Sequence, residues 1–278
     1  EGTIQNNGEV IWNSSGGWSC NSFICLGGVC GFTSKDFTGC INNGKVLFNE
    51  SSTGASGSKL YMGGVVGYTK ASITIANCTN TDKGSVSFNP TAQEGDTDRL
   101  YDDIYVGGIL GFSNENVVAI DKCANAAAVS GGLSNCDNTG NDKHFGGIAG
   151  YIAVEGSSIT DCNMTGSVVN NDFNEHGTAV DGTTCGGIIG YANGTTISGC
   201  TVKNDSKPVL VNGLKGFVGG VAGALSGTSV LDGCTFKGAL EGETATGLLS
   251  GNVAASGTQI KNCWYLGTVN GSSSNVLV

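Results

Sequence analysis

A bipartite motif recurs seven times along the chain, and it constrains the fold more than any other feature. GGVCG begins at Gly27, GGVVG at Gly63, GGILG at Gly107, GGIAG at Gly146, GGIIG at Gly186 and GGVAG at Gly219. A degraded copy, GLLSG, begins at Gly247. An aromatic residue follows the first five copies (Phe32, Tyr68, Phe112, Tyr151 and Tyr191) and gives way to Ala224 and Asn252 in the last two. Each block is followed by an apolar residue three places before a cysteine. The pairs are Phe37 and Cys40, Ile75 and Cys78, Ile120 and Cys123, Ile159 and Cys162, Ile197 and Cys200, Leu231 and Cys234, Ile260 and Cys263. A Gly-x-Val/Leu step closes several copies, as at Gly44 and Val46, Gly166 and Val168, Gly238 and Leu240, Gly267 and Val269. The separation between copies is shortest from Gly219 to Gly247 and longest from Gly63 to Gly107. Almost all of that variation falls between the Gly-x-Val step and the next glycine pair. A constant coil with variable loops at one corner is the signature of a solenoid, whose units bury their apolar faces against one another.

Composition makes the coil a β-coil. Glycine supplies 48 of 278 residues, and each glycine inside a helix costs about 1 kcal/mol relative to alanine. Collagen is excluded because glycine does not recur every third residue and there are two prolines. Simple disorder is excluded by 39% hydrophobic and 13% charged residues. The expectation is an all-β parallel β-helix (β-solenoid) forming one domain over 1–278. It divides into an irregular part-coil over 1–26, seven repeats over 27–270 and a C-terminal tail over 271–278. Each coil should carry two short motif strands and a third before the next glycine pair, which itself marks a bulge or a close backbone approach. Seven coils stacked at ~4.8 Å give a rod of roughly 35 Å. Gln5-Asn6-Asn7-Gly8-Glu9-Val10 aligns with Ile41-Asn42-Asn43-Gly44-Lys45-Val46, so the chain begins in mid-repeat, and neither end carries a clear polar cap. Three expectations compete for the ends: a piece of a longer solenoid, junctions between copies in a filament, or a tail folded over the last coil.

Stacked in register, the repeat cysteines Cys40, Cys78, Cys123, Cys162, Cys200, Cys234 and Cys263 form an internal column. Their Cβ atoms would stand ~4.8 Å apart, beyond the about 3.5–4.5 Å of a disulfide, so buried free thiols are expected. Cys20, Cys25 and Cys30 lie close together around Trp18 and Phe23, and a local disulfide among them is expected if the chain is extracellular. Cys185 takes the packing position before a glycine pair that Val106, Phe145 and Val218 take elsewhere, while Cys136 sits in an insert.

The sequence Gly-Gly-Ile/Val-x-Gly-aromatic, then Ile-x-x-Cys and Gly-x-Val, resembles the GLUG-motif repeats of large bacterial surface and secreted proteins. The resemblance runs from about Leu26 to Asn270. It implies a right-handed parallel β-helix-like stack at the cell surface or outside the cell. It carries over no catalytic residue, since the motif is structural.

Other functional signals are faint. Net charge is −10 with one arginine, Arg99, so no nucleic-acid partner is expected, because phosphate contacts need clustered lysine and arginine. No apolar run approaches the ~20 residues of a membrane helix, so no membrane insertion is expected. Asp96, Asp98, Asp102 and Asp103 lie in the densest acidic stretch. They are the only calcium ligands to be weighed, against a solvated loop without EF-hand spacing. No other cofactor is implied. A polysaccharide-degrading enzyme would need paired carboxylates with basic partners, and no acidic pair recurring on adjacent coils is evident. Trp12, Trp18, Tyr101, Tyr105, Trp264 and Tyr265 are the candidate glycan-stacking faces, set against a role in plugging coil ends. The expectation is a non-catalytic extracellular structural or adhesion module, with carbohydrate binding as the alternative. Its partners would be other copies of itself or another surface protein, with a glycan as a further candidate.

Overall fold

A computed structural model of the chain describes residues 3–14, 23–50, 58–90, 101–131, 142–170, 183–213, 216–242 and 245–270. Among them there is no helix. Each motif copy lays down a series of short strands. In the second copy these are Ser58–Gly63, Val66–Thr69, Ile73–Ala76, Thr79–Asn80 and Ser85–Pro90. Each strand pairs in parallel with its equivalents in the copies before and after, so the coil has five short strands rather than three. The chain is an all-β parallel β-solenoid.

Sheet 1 contains the strands that end at the glycine pairs: Phe23–Gly27, Ser58–Gly63, Tyr101–Gly107, Asp142–Gly146, Thr183–Gly186, Phe217–Gly219 and Ala245–Gly247. Sheet 2 carries the residues just after them, from Cys30–Thr33 to Ser250–Val253. Sheet 3 carries the Ile-x-x-Cys strands, from Phe37–Thr38 to Gln259–Lys261. Sheet 4 joins the strands after each cysteine to the Gly-x-Val strands. Register is strict: Gly27, Gly63, Gly107, Gly146, Gly186, Gly219 and Gly247 stack one on another. Alternate residues such as Leu60, Met62, Ile73 and Ile75 point into one continuous core.

The glycine pair is a close backbone approach and a bulge at once. A Cβ on Gly63 would overlap the Val66 carbonyl oxygen, and one on Gly64 the Gly108 carbonyl oxygen of the next copy. The Val65 and Val66 amides both donate to Ile109 O, at 3.1 and 2.9 Å, and the same double donation recurs in the other copies. In each copy the segment of variable length falls between the Gly-x-Val strand and the next strand of sheet 1, so the variable segments are attached at one corner. One further insertion, Asn204–Pro208, sits elsewhere, between Thr201–Lys203 and Val209–Gly213. The single strand Thr235–Gly242 pairs with both.

The cysteine column is in place. Cys40, Cys78, Cys123, Cys162, Cys200 and Cys234 are buried and Cys263 is half-buried, all as free thiols. The residue before each of them has a positive φ: Gly39, Asn77, Lys122, Asp161, Gly199, Gly233 and Asn262. That left-handed step turns the coil from sheet 3 to sheet 4 and aims the thiol inward, where it donates back to the carbonyl two residues earlier. The Cys78 and Cys162 thiols make this bond at 3.4 and 3.3 Å. Burial pushes the Cys40 thiol up to about 11.

A buried asparagine ladder runs beside this column. Asn6 Nδ2 donates to Asn42 Oδ1 (2.8 Å), Asn42 to Asn80 (2.9 Å) and Asn80 to Asn125 (3.0 Å). Each copy thus satisfies the next copy's amide, which is what makes a buried Asn tolerable. Beyond Asn125 the same register position holds Met164, Val202, Phe236 and Tyr265.

Candidate functional site

Sheets 1 and 2 meet at the glycine pairs, and the residues facing outward from both converge in a groove along the solenoid. On sheet 1 the groove row is Cys25, Tyr61, Tyr105, His144, Thr184, Phe217 and Ala245. On sheet 2 it is Phe32, Tyr68, Phe112, Tyr151, Tyr191, Ala224 and Asn252. The rings interleave. Tyr61 stacks on Phe112 at 4.4 Å, Tyr105 on Phe112 at 4.6 Å and Tyr151 on Tyr191 at 4.9 Å between centroids. This apolar cluster is separate from the main core, and Tyr61, Tyr68, Tyr105 and Phe112 are each buried in it. Offset ring pairs contribute about 0.5–1.5 kcal/mol each beyond their burial, so the groove is a structural seam along much of its length.

The seam stops where the aromatic residues stop. Thr184, Ala224 and Asn252 replace rings, and a pocket of about 210 Å³ opens there between Tyr151, Tyr191 and Phe217. His144 forms its inner wall at 2% exposure. The imidazole lies between Tyr105, Tyr151 and Tyr191, with centroids 5.4, 5.3 and 5.2 Å away. Burial lowers its pKa from 6.5 to about 3, so the ring is neutral.

The hydrogen bonds then fix the tautomer. Thr184 Oγ1 donates its one proton to the Gly190 carbonyl (2.7 Å), so it can only accept from His144 Nδ1 (2.8 Å). The ring proton therefore sits on Nδ1, and Nε2 carries a lone pair. Nε2 lies 4.0 Å from Asp142 Oδ2, an acceptor facing an acceptor.

Lys59, Asp103 and Asp142 form a register row along the groove's rim. Lys59 is ion-paired with Asp103. Burial first, and then the Asp103 charge, push the half-exposed Asp142 carboxyl above its usual range, with Lys59 opposing. This row corrects one expectation: an acidic pair, Asp103 and Asp142, does stand on adjacent coils. It stayed hidden because the variable segment between the two residues conceals their register.

The remaining sequence candidates are scattered. Asp96 and Asp98 lie outside the described residues, as does the side chain of Asp102, and Asp103 is engaged with Lys59. Among the described residues no group of three His, Cys, Asp or Glu side chains is placed to hold a metal. Cys25 and Cys30 are free thiols and Cys20 lies outside the described residues, as do Trp18 and Cys136. Burial pushes the Cys25 thiol up to about 12. Cys185 is buried in the core.

Of the proposed stacking faces, Tyr105 is part of the buried seam and Trp12 packs against the core. Trp264, at 75% exposure, and Tyr265 are exposed at the last described coil, and the Tyr101 side chain is not described. A second pocket of about 460 Å³ lies between the Asn204–Pro208 insertion and the strands at Lys237 and Leu266. Asp205 there pairs with Lys203 and Lys237 at 3.7 and 3.6 Å.

Sequence reasoning missed His144, Tyr61 and Thr184. Their signal was present two residues before each glycine pair, where Tyr61, Tyr105 and His144 recur in an otherwise variable strand. No helix among the described residues is long and apolar enough to cross a membrane. The chain matches no family model, no curated protein and no solved structure.

Proposed function

We propose that this chain is a non-catalytic β-solenoid module acting at the cell surface or outside the cell as a structural or adhesive element, in keeping with the GLUG-like motif. One observation carries the reading: register holds through every motif copy, so that the thiol column runs the length of the stack, with amide and aromatic ladders along its earlier copies. Such a body resists bending because each side chain is fixed by its equivalents in two neighbouring coils. Its faces present few charges, and its variable segments are attached at one corner, a suitable place for protein contact. The partners in this reading are other copies of the chain or another surface protein.

The test is mass distribution against concentration, with negative-stain images of the same samples. The structural reading expects rigid rods whose association grows with concentration, or rods that bind a surface partner as monomers. Turnover of any polymer in a panel of neutral and acidic glycans would overturn the non-catalytic reading.

A further inference from the structure

The pocket where the aromatic seam ends is a gap in a periodic stack. Phe32, Tyr68, Phe112, Tyr151 and Tyr191 each lie in register with the next ring, and the ring after Tyr191 is replaced by Ala224. Coils repeat at about 4.8 Å, so losing one ring leaves a slot about one flat ring thick. Phe217, from the facing strand, and Asn252, one coil further on, line the rest of it.

At the inner wall His144 Nε2 has no hydrogen-bond partner among the described residues. Its lone pair is directed by the tautomer that Thr184 and Gly190 impose. His144 lines the pocket, so this acceptor is open to a donor that enters it. Asp142 Oδ2, 4.0 Å away, is itself an acceptor, so it cannot serve Nε2 without a proton between them. A group that donates hydrogen bonds would serve both.

We propose that this pocket binds the ring of a neutral sugar, which takes the place of the missing aromatic ring and donates a hydroxyl to His144 Nε2. The apolar face of the sugar covers Tyr191 or Phe217, the neighbouring hydroxyls reach Asp142, and the Asn252 amide offers both a donor and an acceptor at the mouth. An apolar pocket with few convergent polar groups is the usual form of a small-ligand site. A simple ammonium group would also satisfy the two acceptors, but it would fill no ring-shaped slot and leave the Asn252 amide unused. The site is independent of the structural reading, because a pure stalk has no need of it. Failure here would leave the association measurements unchanged.

The experiment is saturation-transfer NMR on the whole chain. The probes are glucose, galactose, mannose and N-acetylglucosamine, their neutral oligosaccharides, and choline and lysine as cationic controls. Two variants accompany the wild type. Ala224→Tyr fills the slot and continues the stack, while His144→Phe removes the acceptor and keeps a ring in place. At least one neutral sugar should saturate the wild type, and each variant should weaken it tenfold or more without lowering the melting temperature at neutral pH. If one variant fails to fold, the other still decides. No sugar signal, sugar binding that both variants leave intact, or preference for choline or lysine would each overturn the proposal.

Discussion

The copies before residue 145 and those after it share one backbone path but are filled differently inside. In the earlier copies the position two residues after the repeat cysteine holds Asn42, Asn80 and Asn125, bonded to one another inside the core, while rings are stacked in the outer groove. In the later copies the interior position becomes Met164, Val202 and Phe236, while the outer groove keeps Tyr151, Tyr191 and Phe217 and then gives way to Ala224 and Asn252. Polar groups inside have become apolar groups inside, and the outer stack carries on through Tyr151 and Tyr191 before it breaks at Ala224. The difference shows that backbone register specifies the coil, while either polar or apolar side chains can fill it, provided each position agrees with its neighbours. A polar ladder needs a partner for each amide, and where it ends Asn125 Nδ2 turns to the Gly147 carbonyl (2.8 Å). An apolar interior asks only for volume.

Breaking the apolar half should have the largest effect. Phe236 is fully buried, and removing its ring leaves a cavity between Val202 and Tyr265. Phe236→Ala should cost about 3–5 kcal/mol. Because a solenoid unfolds through neighbouring units, the loss should appear in hydrogen exchange as lowered protection around 201–270, with the copies before residue 90 little changed.

The polar half should break differently. Asn80→Leu roughly conserves volume but leaves Asn42 Nδ2 and Asn125 Oδ1 without their ladder partners, which should cost about 2–4 kcal/mol. Met164→Leu, at the equivalent position in the apolar half, should cost under about 1.5 kcal/mol. Equal midpoint shifts for the two in urea would show that the ladder is ordinary packing.

The boundary between the halves should be readable in pH. The unfolded chain takes a proton on His144 as pH falls through 6.5, but the fold holds the ring neutral down to about 3. In that window the unfolded state binds more protons, so stability is full above pH 6.5 and declines as pH drops. The effect reaches on the order of several kcal/mol at its acid end. Asp142 acts in the opposite sense. Its raised pKa lets the fold take up a proton first as pH falls toward the carboxylate range, and Asp103 and Lys59 set the size of that offset. His144→Phe, still bounded by Tyr105, Tyr151 and Tyr191, should flatten the slope below pH 6.5 in thermal melts. An unchanged slope would show that other groups govern acid stability.

These contrasts were unequally legible in the sequence. The solenoid, the shared corner for its loops and the buried thiol column follow from Gly-Gly and Ile-x-x-Cys, because a motif repeated at near-constant internal spacing must stack on itself. The asparagine ladder was visible as Cys-x-Asn at Cys40, Cys78 and Cys123, yet Asn alone reads as a turn residue. Only the register between coils shows that each amide finds its partner in the next coil. The left-handed step before each cysteine was suggested by Gly39, Asn77, Asp161, Gly199, Gly233 and Asn262, and Lys122 breaks that pattern. The pocket was the least legible feature. It requires knowing that the residue two before the glycine pair on one sheet faces the residue one after the motif on the other, a cross-sheet contact that no linear spacing expresses. The loss of the aromatic residue at Ala224 looked like decay of the motif, when in the fold it is an opening.

The smallest effect tests that last point directly. Ala224→Tyr restores a ring in register with Tyr191 and opposite Phe217. If the pocket is a gap in the stack, the new ring should find an offset neighbour and stabilise the later copies by about 0.5–1.5 kcal/mol. The gain should show as a modest rise in melting temperature, with hydrogen exchange slowed around 217–226. A destabilising outcome would mean that the slot is narrower than a ring, or that Phe217 closes over it, and the earlier copies' aromatic filling could not then be extended along the groove. Stabilisation would show that the later copies retain the backbone geometry for a continuous seam and that the chain leaves one position of it open.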